Sequence, residues 1–512
     1  MHSKLLSATH VGISARLIEV EVDVSYGLVN FSIVGLPDTG IKESVKRIQT
    51  ALKNSGLPFP AKRITVNLAP ADSKKEGSFF DLPIAIGILL AENYISVSRE
   101  FLESTIFVGE LSLDGTIRFT KGSLAIAREA ARIGKKRLIL GQENVREAAL
   151  IHEIEVCGFT HLTSLISVLK KETPLVVAPK TQILYEKEKE NLDFSQVKSQ
   201  YQAKRALQIA AAGRHNIVFV GPPGSGKTML AQRLSTLMPP LQFQEILEIS
   251  TIYSVSGKLG NEQLITKRPF RAPHHTISQA ALIGGGSYPQ PGEVTLAHHG
   301  ILFLDEFAEF KRNALEVLRQ PLEEKTVSIA RVNQTLELPA SFLLIAALNP
   351  CPCGFLGDKT KQCTCSKQQI QKYLSTLSGP LLDRIDLQVP IMAVSYETLK
   401  HKDTKIISSQ DLKVGVDIAL VMQKNRFNSN MKFNNAMKSD EVEKYCVLTK
   451  EAEQLMKMIF ENYRLSMRGY HKLLKVARTI ADLEESSIIN EKHLSESIMY
   501  RCLDQYIADQ IK

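Results

Sequence analysis

Eight residues, GPPGSGKT from Gly221 to Thr228, combine types and spacing suited to holding a polyphosphate. Gly221, Gly224 and Gly226 let backbone N–H groups turn inward around phosphate oxygens, with Pro222, Pro223 and Ser225 completing the loop. Lys227 supplies a mobile charge for the outer phosphates, and the Thr228 hydroxyl is a Mg2+ ligand. The strand-like IVFV before the loop and the helical MLAQRLSTLM after it provide the context this motif requires, so ATP and Mg2+ are the expected occupants. Further on, the apolar run ILFLDE (Ile301 to Glu306) ends in two carboxylates. Asp305 suits the Mg2+ hydration shell, and Glu306 suits polarisation of the attacking water. A third apolar run, SFLLIAALNP, ends in Asn349, whose carboxamide can orient that water or sense the terminal phosphate. Two arginines leave alternatives open. Arg384, in LLDRIDL, is either in a local salt bridge or reaches the terminal phosphate of a neighbouring subunit. Arg468, at the start of RGYHKLLKVARTIADL, is either a helix-surface residue or a nucleotide contact from a helical lid.

Directly after Asn349 comes CPCGFLGDKTKQCTC, in which Cys351, Cys353, Cys363 and Cys365 form C-x-C-x9-C-x-C. In a reducing compartment four thiolates match a closed tetrahedral zinc, which has no open position for catalysis. The C-x-C halves are tighter than the usual C-x-x-C, and free thiols, an iron–sulfur cluster or a regulated disulfide are the alternatives. Two histidine pairs, His274–His275 and His298–His299, also suggest a metal. Neighbours on a strand point to opposite faces, so structural or loop-ordering roles are expected instead.

These residues must be positioned by a chain of 512 residues, too long for one ordinary core. Residues 1–170 alternate β-rich runs (FSIVGLP, RITVNLAP, STIFVGELSL, KRLILG) with helical stretches and read as an α+β domain. Residues 171–192 hold two prolines and a charged run and read as a linker. Residues 193–395 read as a P-loop α/β core, a parallel sheet flanked by helices with the cysteine insertion at 351–365; residues 396–512 read as a helical lid. Hydrophobic residues at 44% and charged residues at 23% are ordinary globular values, and a net charge of +9 permits a polyanionic partner without demanding one. No apolar run reaches bilayer length, and MHSKLLSATHVGISARLIEV lacks the apolar core of a signal peptide, so the cytoplasm is the expected location, with no membrane partner.

The two phosphate motifs, the strand-tip asparagine and the late arginines together resemble an AAA+ ATPase. PGEVTLAHHGILFLDEF and EVLRQPLEEKTVSIARVNQTLELPASFLLIAALNP are similar to segments of magnesium chelatase ATPase subunits and minichromosome maintenance helicases. FSIVGLPD, ITVNLAPAD, KEGSFFDLPIAIGIL, FRAPHHTIS, ALIGGG, NPCPCG, SGPLLDRID and ARTIADL resemble the bacterial ComM (YifB-like, magnesium chelatase-like) family over nearly the whole chain. Two positions depart from it: Ser199 stands where the family tends to have glycine, and Met467 where a smaller residue is usual. The resemblance implies a homo-hexameric ring on single-stranded and branched DNA, promoting branch migration of recombination intermediates during natural transformation, with recombinase–DNA intermediates as further partners. It implies that Arg384 acts in trans, that Arg468 is a second sensor, that Arg331 in VSIARVNQTLEL contacts DNA, and that ALIGGGSYPQPGE is a pore loop. An arginine on a β-hairpin is, by itself, as readily a solvated edge charge.

The N-terminal VGELSLDGTIRFTKGSLAIAREAARIGKKRLILGQENVREA resembles the serine–lysine protease domain of the Lon family (S5-like). On that alignment Phe79 occupies the nucleophile position and Leu124 the lysine position, with Ser78 one residue off and still lacking a base. Acyl transfer then has no reactive centre, and the domain is expected to be non-proteolytic, a DNA-binding or assembly platform. Three functions compete: a DNA motor, the ATPase subunit of a metal-chelatase-type protein-remodelling complex, and a nucleotide switch that hydrolyses ATP without translocating.

Overall fold

The computed structural model describes residues 2–71, 75, 77, 79–183, 192–259, 264–285, 290–331, 334–358, 361–393, 406–462 and 465–501. The chain divides into two compact units, Met1–Tyr185 with Gln242–Thr266, and Glu186–Leu241 with Lys267–Lys512.

In the first unit the main strands are His2–Val11 (β1), Ser14–Ser25 (β2), Asn30–Val34 (β3), Arg63–Ala69 (β4), Thr105–Phe107 (β5), Arg137–Gly141 (β6) and Glu155–Phe159 (β7). They form a mixed sheet ordered β3-β4-β2-β1-β5-β6-β7. The sequence SARLIEVEVDVS explains β2: Ile18, Val20, Val22 and Val24 fall on one face and are buried, while the residues between them are charged or polar. Helix Thr39–Asn54 (α1) starts at Asp38, whose side chain accepts from Ile41 N–H at 2.7 Å. Helix Asp81–Ala91 (α2), DLPIAIGILLA, is apolar on nearly every side and correspondingly central to the core. Helix Ser123–Arg132 (α3) packs against helix Phe243–Val255, which the linear sequence places inside the nucleotide-binding portion. The expected linker is partly tied down: Ala178 N–H donates to Val156 O at 2.8 Å and Thr181 N–H to Ala149 O at 3.1 Å, so the first unit continues past residue 170. Residues 184–191 of that stretch lie outside the described residues.

In the second unit the main strands are Ile217–Val220 (β8), Phe270–Arg271 (β9), Ile301–Leu304 (β10), Thr326–Arg331 (β11), Gln334–Pro339 (β12), Leu343–Leu348 (β13) and Leu387–Pro390 (β14). The sheet order is β9-β10-β13-β8-β14, with every pairing parallel, and β11 and β12 form a separate hairpin. Every residue of β8, β10 and β13 is buried, which explains why these strands read as unbroken apolar runs without alternation. Helices Tyr201–Gly213 (α4), Lys227–Leu237 (α5), Arg319–Glu324 (α6), Ser409–Phe427 (α7) and Met467–Leu483 (α8) complete the parts used below. Leu412, Val416 and Ala419 of α7 and Val476 and Ile480 of α8 share one apolar cluster with Ala206, Leu207 and Ile209 of α4 and the sheet, so the lid helices and the core are one folded body. Among the described residues no helix is long and apolar enough to cross a membrane.

Candidate nucleotide site

Parallel pairing decides where the chemistry gathers. Because β8, β13 and β10 run the same way and lie side by side, the segments leaving them emerge at one edge: Gly221–Thr228 after β8, Asn349 after β13, and Asp305–Glu306 after β10. The structure brings these residues together. Lys227 Nζ donates to Asn349 Oδ1 at 3.1 Å and to the carbonyls of Gly221 and Pro222 at 2.7 and 2.9 Å. Thr228 Oγ1 donates to Asp305 Oδ2 at 2.9 Å. Burial pushes the Lys227 ammonium below its usual range, with the Asp305 charge opposing.

The residues fit a Mg2+-nucleotide. Gly224 and Gly226 have φ of +75° and +89°, which a side chain would resist, and a Cβ at either would meet only open space. Ser225 Oγ is buried with no hydrogen-bond partner among the described residues, inside a loop whose following helix directs N–H groups outward. A hydroxyl and a carboxylate oxygen held side by side, Thr228 and Asp305, are hard donors of the kind Mg2+ takes.

Glu306 adopts φ +50° and is fixed by its own N–H, which donates to Asp305 Oδ1 at 2.9 Å. Its side chain pairs with a residue the sequence reading assigned only to loop ordering: His275 Nδ1 lies 2.8 Å from Glu306 Oε2. Strand order explains the meeting, since β9 pairs in parallel with β10 and the segment carrying His275 leaves at the same edge as Asp305 and Glu306. The expectation that paired histidines splay apart fails because neither pair sits in a strand. The rings of His274 and His275 are 4.1 Å apart and those of His298 and His299 are 3.9 Å apart, all four residues lying in turns. His298 Nδ1 accepts from Ser341 N–H at 3.0 Å and orders the approach to β13.

Arg384 and Arg468 lie elsewhere. Arg384 precedes β14, and Asp386 N–H donates to Asn216 O just before β8 begins, so Arg384 is at the sheet edge opposite Gly221–Thr228. Within one copy Arg384 Nη2 donates to Glu323 Oε2 at 2.6 Å, a local ion pair, and Arg468, expected as a helix-surface residue or a nucleotide contact, donates to the other oxygen of the same carboxylate. Arg331 closes β11, but its side chain lies outside the described residues, as do residues 286–289 of the glycine-rich loop and Ser78. Ser199, the departure from glycine, has φ +55°, the left-handed conformation that glycine adopts without strain.

The four cysteine sulfurs lie within 4.8 Å of one another, and Cys351, Cys353 and Cys363 are separated by 3.4 to 3.6 Å. A tetrahedron of thiolates at 2.3 Å from zinc has edges of about 3.8 Å, so the set could hold such an ion. A Cβ on Gly354, inside this turn, would meet Pro223 Cδ at 2.6 Å, so the cysteine turn packs directly on the phosphate loop.

In the first unit, Phe79 and Leu124 share an apolar cluster with Leu6, Ala8, Ile106 and Val108, and His10 meets Phe79 edge-on at 5.3 Å.

A five-stranded parallel sheet with a P-loop after one inner strand, carboxylates after another and an asparagine between them defines a P-loop nucleotide-binding protein with an AAA+-type core. Family models bear this out and narrow it: residues 193–399 match magnesium chelatase, subunit ChlI, residues 20–144 match subunit ChlI of Mg-chelatase, and residues 407–501 match the ChlI C-terminal region. The chain is 41% identical over 503 residues to competence protein ComM of Haemophilus influenzae, covering 97% of each chain. It is 40% identical over 497 residues to protein YifB of Salmonella typhimurium, covering 97% of this chain and 96% of the relative. A more distant match, 24% identical over 318 residues, is DNA replication licensing factor Mcm6 of Drosophila pseudoobscura pseudoobscura, covering 58% of this chain and 33% of the relative. The chain belongs to the ComM/YifB-like branch of the magnesium chelatase family.

Proposed function

We propose that the chain is an ATP-driven, homo-hexameric DNA motor that promotes branch migration of recombination intermediates during natural transformation, in the cytoplasm. The observation that carries this reading is the split between the two edges of the sheet. Lys227, Thr228, Asp305, Glu306 and Asn349 converge at one edge, while Arg384 and Arg468 stand at the other. An arginine at the far edge reaches a nucleotide only in another copy, which is the logic of a ring. Similarity to a competence protein supports the role in transformation, similarity to a DNA replication licensing factor supports DNA as the polymer, and Arg331 on its hairpin is the proposed DNA contact.

Lys227 and the loop N–H groups bind the phosphates, and Asn349, already fixed by Lys227, orients the water at the terminal phosphate. Glu306 takes the water's proton, and His275 sets where its carboxylate rests between turnovers. Thr228 and Asp305 would hold Mg2+, which supplies charge compensation at the phosphates. Cys351, Cys353, Cys363 and Cys365 would hold a structural zinc that stiffens the turn against Pro223.

The match to a chelatase subunit supports a second reading, the ATPase of a metal-chelatase-type remodelling complex. Purified protein, ATP and a synthetic three-stranded or Holliday junction separate the two. Strand exchange, and ATP hydrolysis stimulated by single-stranded DNA, are expected of the motor; an ATPase indifferent to both substrates overturns it.

A further inference from the structure

Two charges in the second unit stand where local electrostatics disfavour them. Glu323 is near the C-terminal end of α6, where the helix dipole favours cations, and Arg468 is the second residue of α8, where it favours anions. They meet each other and Arg384. One carboxylate oxygen of Glu323 accepts from Arg468, and the other accepts from Arg384 Nη2 at 2.6 Å. Arg384 Nη1 donates to Pro380 O at 2.6 Å, and its Nε is buried with no hydrogen-bond partner among the described residues. The Arg384 side chain is only 9% exposed, against 42% for Glu323 and 39% for Arg468. Partial burial pulls the Glu323 carboxyl up, but the bond from Arg384 and the charges of Arg468 and Arg384 hold it below the usual glutamate range. Two guanidiniums, one of them carrying an unpartnered buried N–H and the other borne on the first turn of a 17-residue helix, thus share one planar carboxylate. The same donors suit a tetrahedral oxyanion with three acceptor oxygens.

We propose that Glu323 is an internal stand-in for a phosphoryl group: it fills the two-arginine receptor that takes the terminal phosphate of a nucleoside triphosphate bound by a neighbouring copy, so that nucleotide must displace it. The inference rests on the reading of Arg384 and Arg468 as acting in trans. A terminal phosphate carries more charge and more acceptors than a carboxylate and takes both arginines. A diphosphate lacks that group, and Glu323 recaptures them. Association between copies thereby depends on the triphosphate, and the carboxylate sets how much is needed.

The test measures mass by light scattering for the full chain against rising AMP-PNP and, separately, ADP. Glu323→Gln, which keeps the shape and removes the charge, is expected to assemble at roughly tenfold to a hundredfold lower AMP-PNP than wild type, the range one charge-assisted hydrogen bond gives. It is also expected to assemble partly with ADP. Arg384→Ala is expected not to assemble with either. Glu323→Gln that needs as much AMP-PNP as wild type, or more, overturns the inference, since the carboxylate would then orient the arginines or do nothing. If that variant folds poorly, Glu323→Asp, too short to hold both guanidiniums, must show the same shift. Wild type that does not assemble with AMP-PNP overturns the trans reading, and the inference with it. Wild type that assembles while Glu323→Gln merely matches it overturns the inference alone.

Discussion

The two units spend their polar side chains differently. In the second, Lys227, Thr228, Asp305 and Asn349 lie around one open space, with Ser225 Oγ buried and unsatisfied beside them. In the first, the positions that resemble a protease centre hold Phe79 and Leu124, both inside an apolar cluster. Some of its buried polar groups pair with one another. Asn144 donates to Ser123 Oγ at 3.0 Å and to Glu147 Oε1 at 2.7 Å, and Arg47 Nε holds the fully buried Asp81 at 2.8 Å. The contrast is between phosphate-site groups that converge in one unit and apolar residues at the positions that resemble a protease centre in the other.

The sharpest way to break it is to delete chemistry in the second unit. Lys227→Ala and Glu306→Gln are expected to lower kcat for ATP by about a hundredfold to a thousandfold, the scale of losing a preorganised charge or base, with Glu306→Gln still retaining ATP. Unchanged hydrolysis in either would dissolve the site. In the first unit the effect should move to stability. Phe79→Ala is expected to cost about 3–5 kcal/mol in denaturant unfolding, through lost burial and the cavity left, while the KM for ATP stays put. ATP-stimulated casein cleavage by the wild-type chain, abolished by Ser78→Ala, would reverse the assignment of that unit. A smaller effect is expected from the cysteine turn: Cys363→Ser should remove one equivalent of zinc per chain by metal analysis and lower Tm by several degrees, since metal binding is folding energy. The smallest is Ser199→Gly. Relieving a left-handed non-glycine residue should raise stability by up to about 1 kcal/mol, measured as a shift in the unfolding midpoint.

What was legible in the sequence followed from local rules. Gly221–Thr228, Asp305, Glu306 and Asn349 each end an apolar run, and in a parallel sheet the ends of such runs come together, so their partnership could be read without coordinates. The pair His275–Glu306 could not, because it depends on which strand lies beside β10, a choice made by long-range packing. The same holds for Glu323, whose two partners come from distant segments. Helix Phe243–Val255 has the composition of any buried helix, and nothing in it says which unit it joins.

That helix has a consequence for how the chain is made. The first unit needs Gln242–Thr266, yet β8, the phosphate loop and α5 are synthesised before that segment. At about 5–20 residues per second, translation leaves the N-terminal fold waiting for its last helix for several seconds. During the later part of that interval β8, wholly apolar, has been made without β13 or β14 to pair with. The first unit is complete only at residue 266, with β9 to β14 of the second still to be made, so the nascent chain first passes through a stage with two incomplete cores, a stage at which a chaperone would find both.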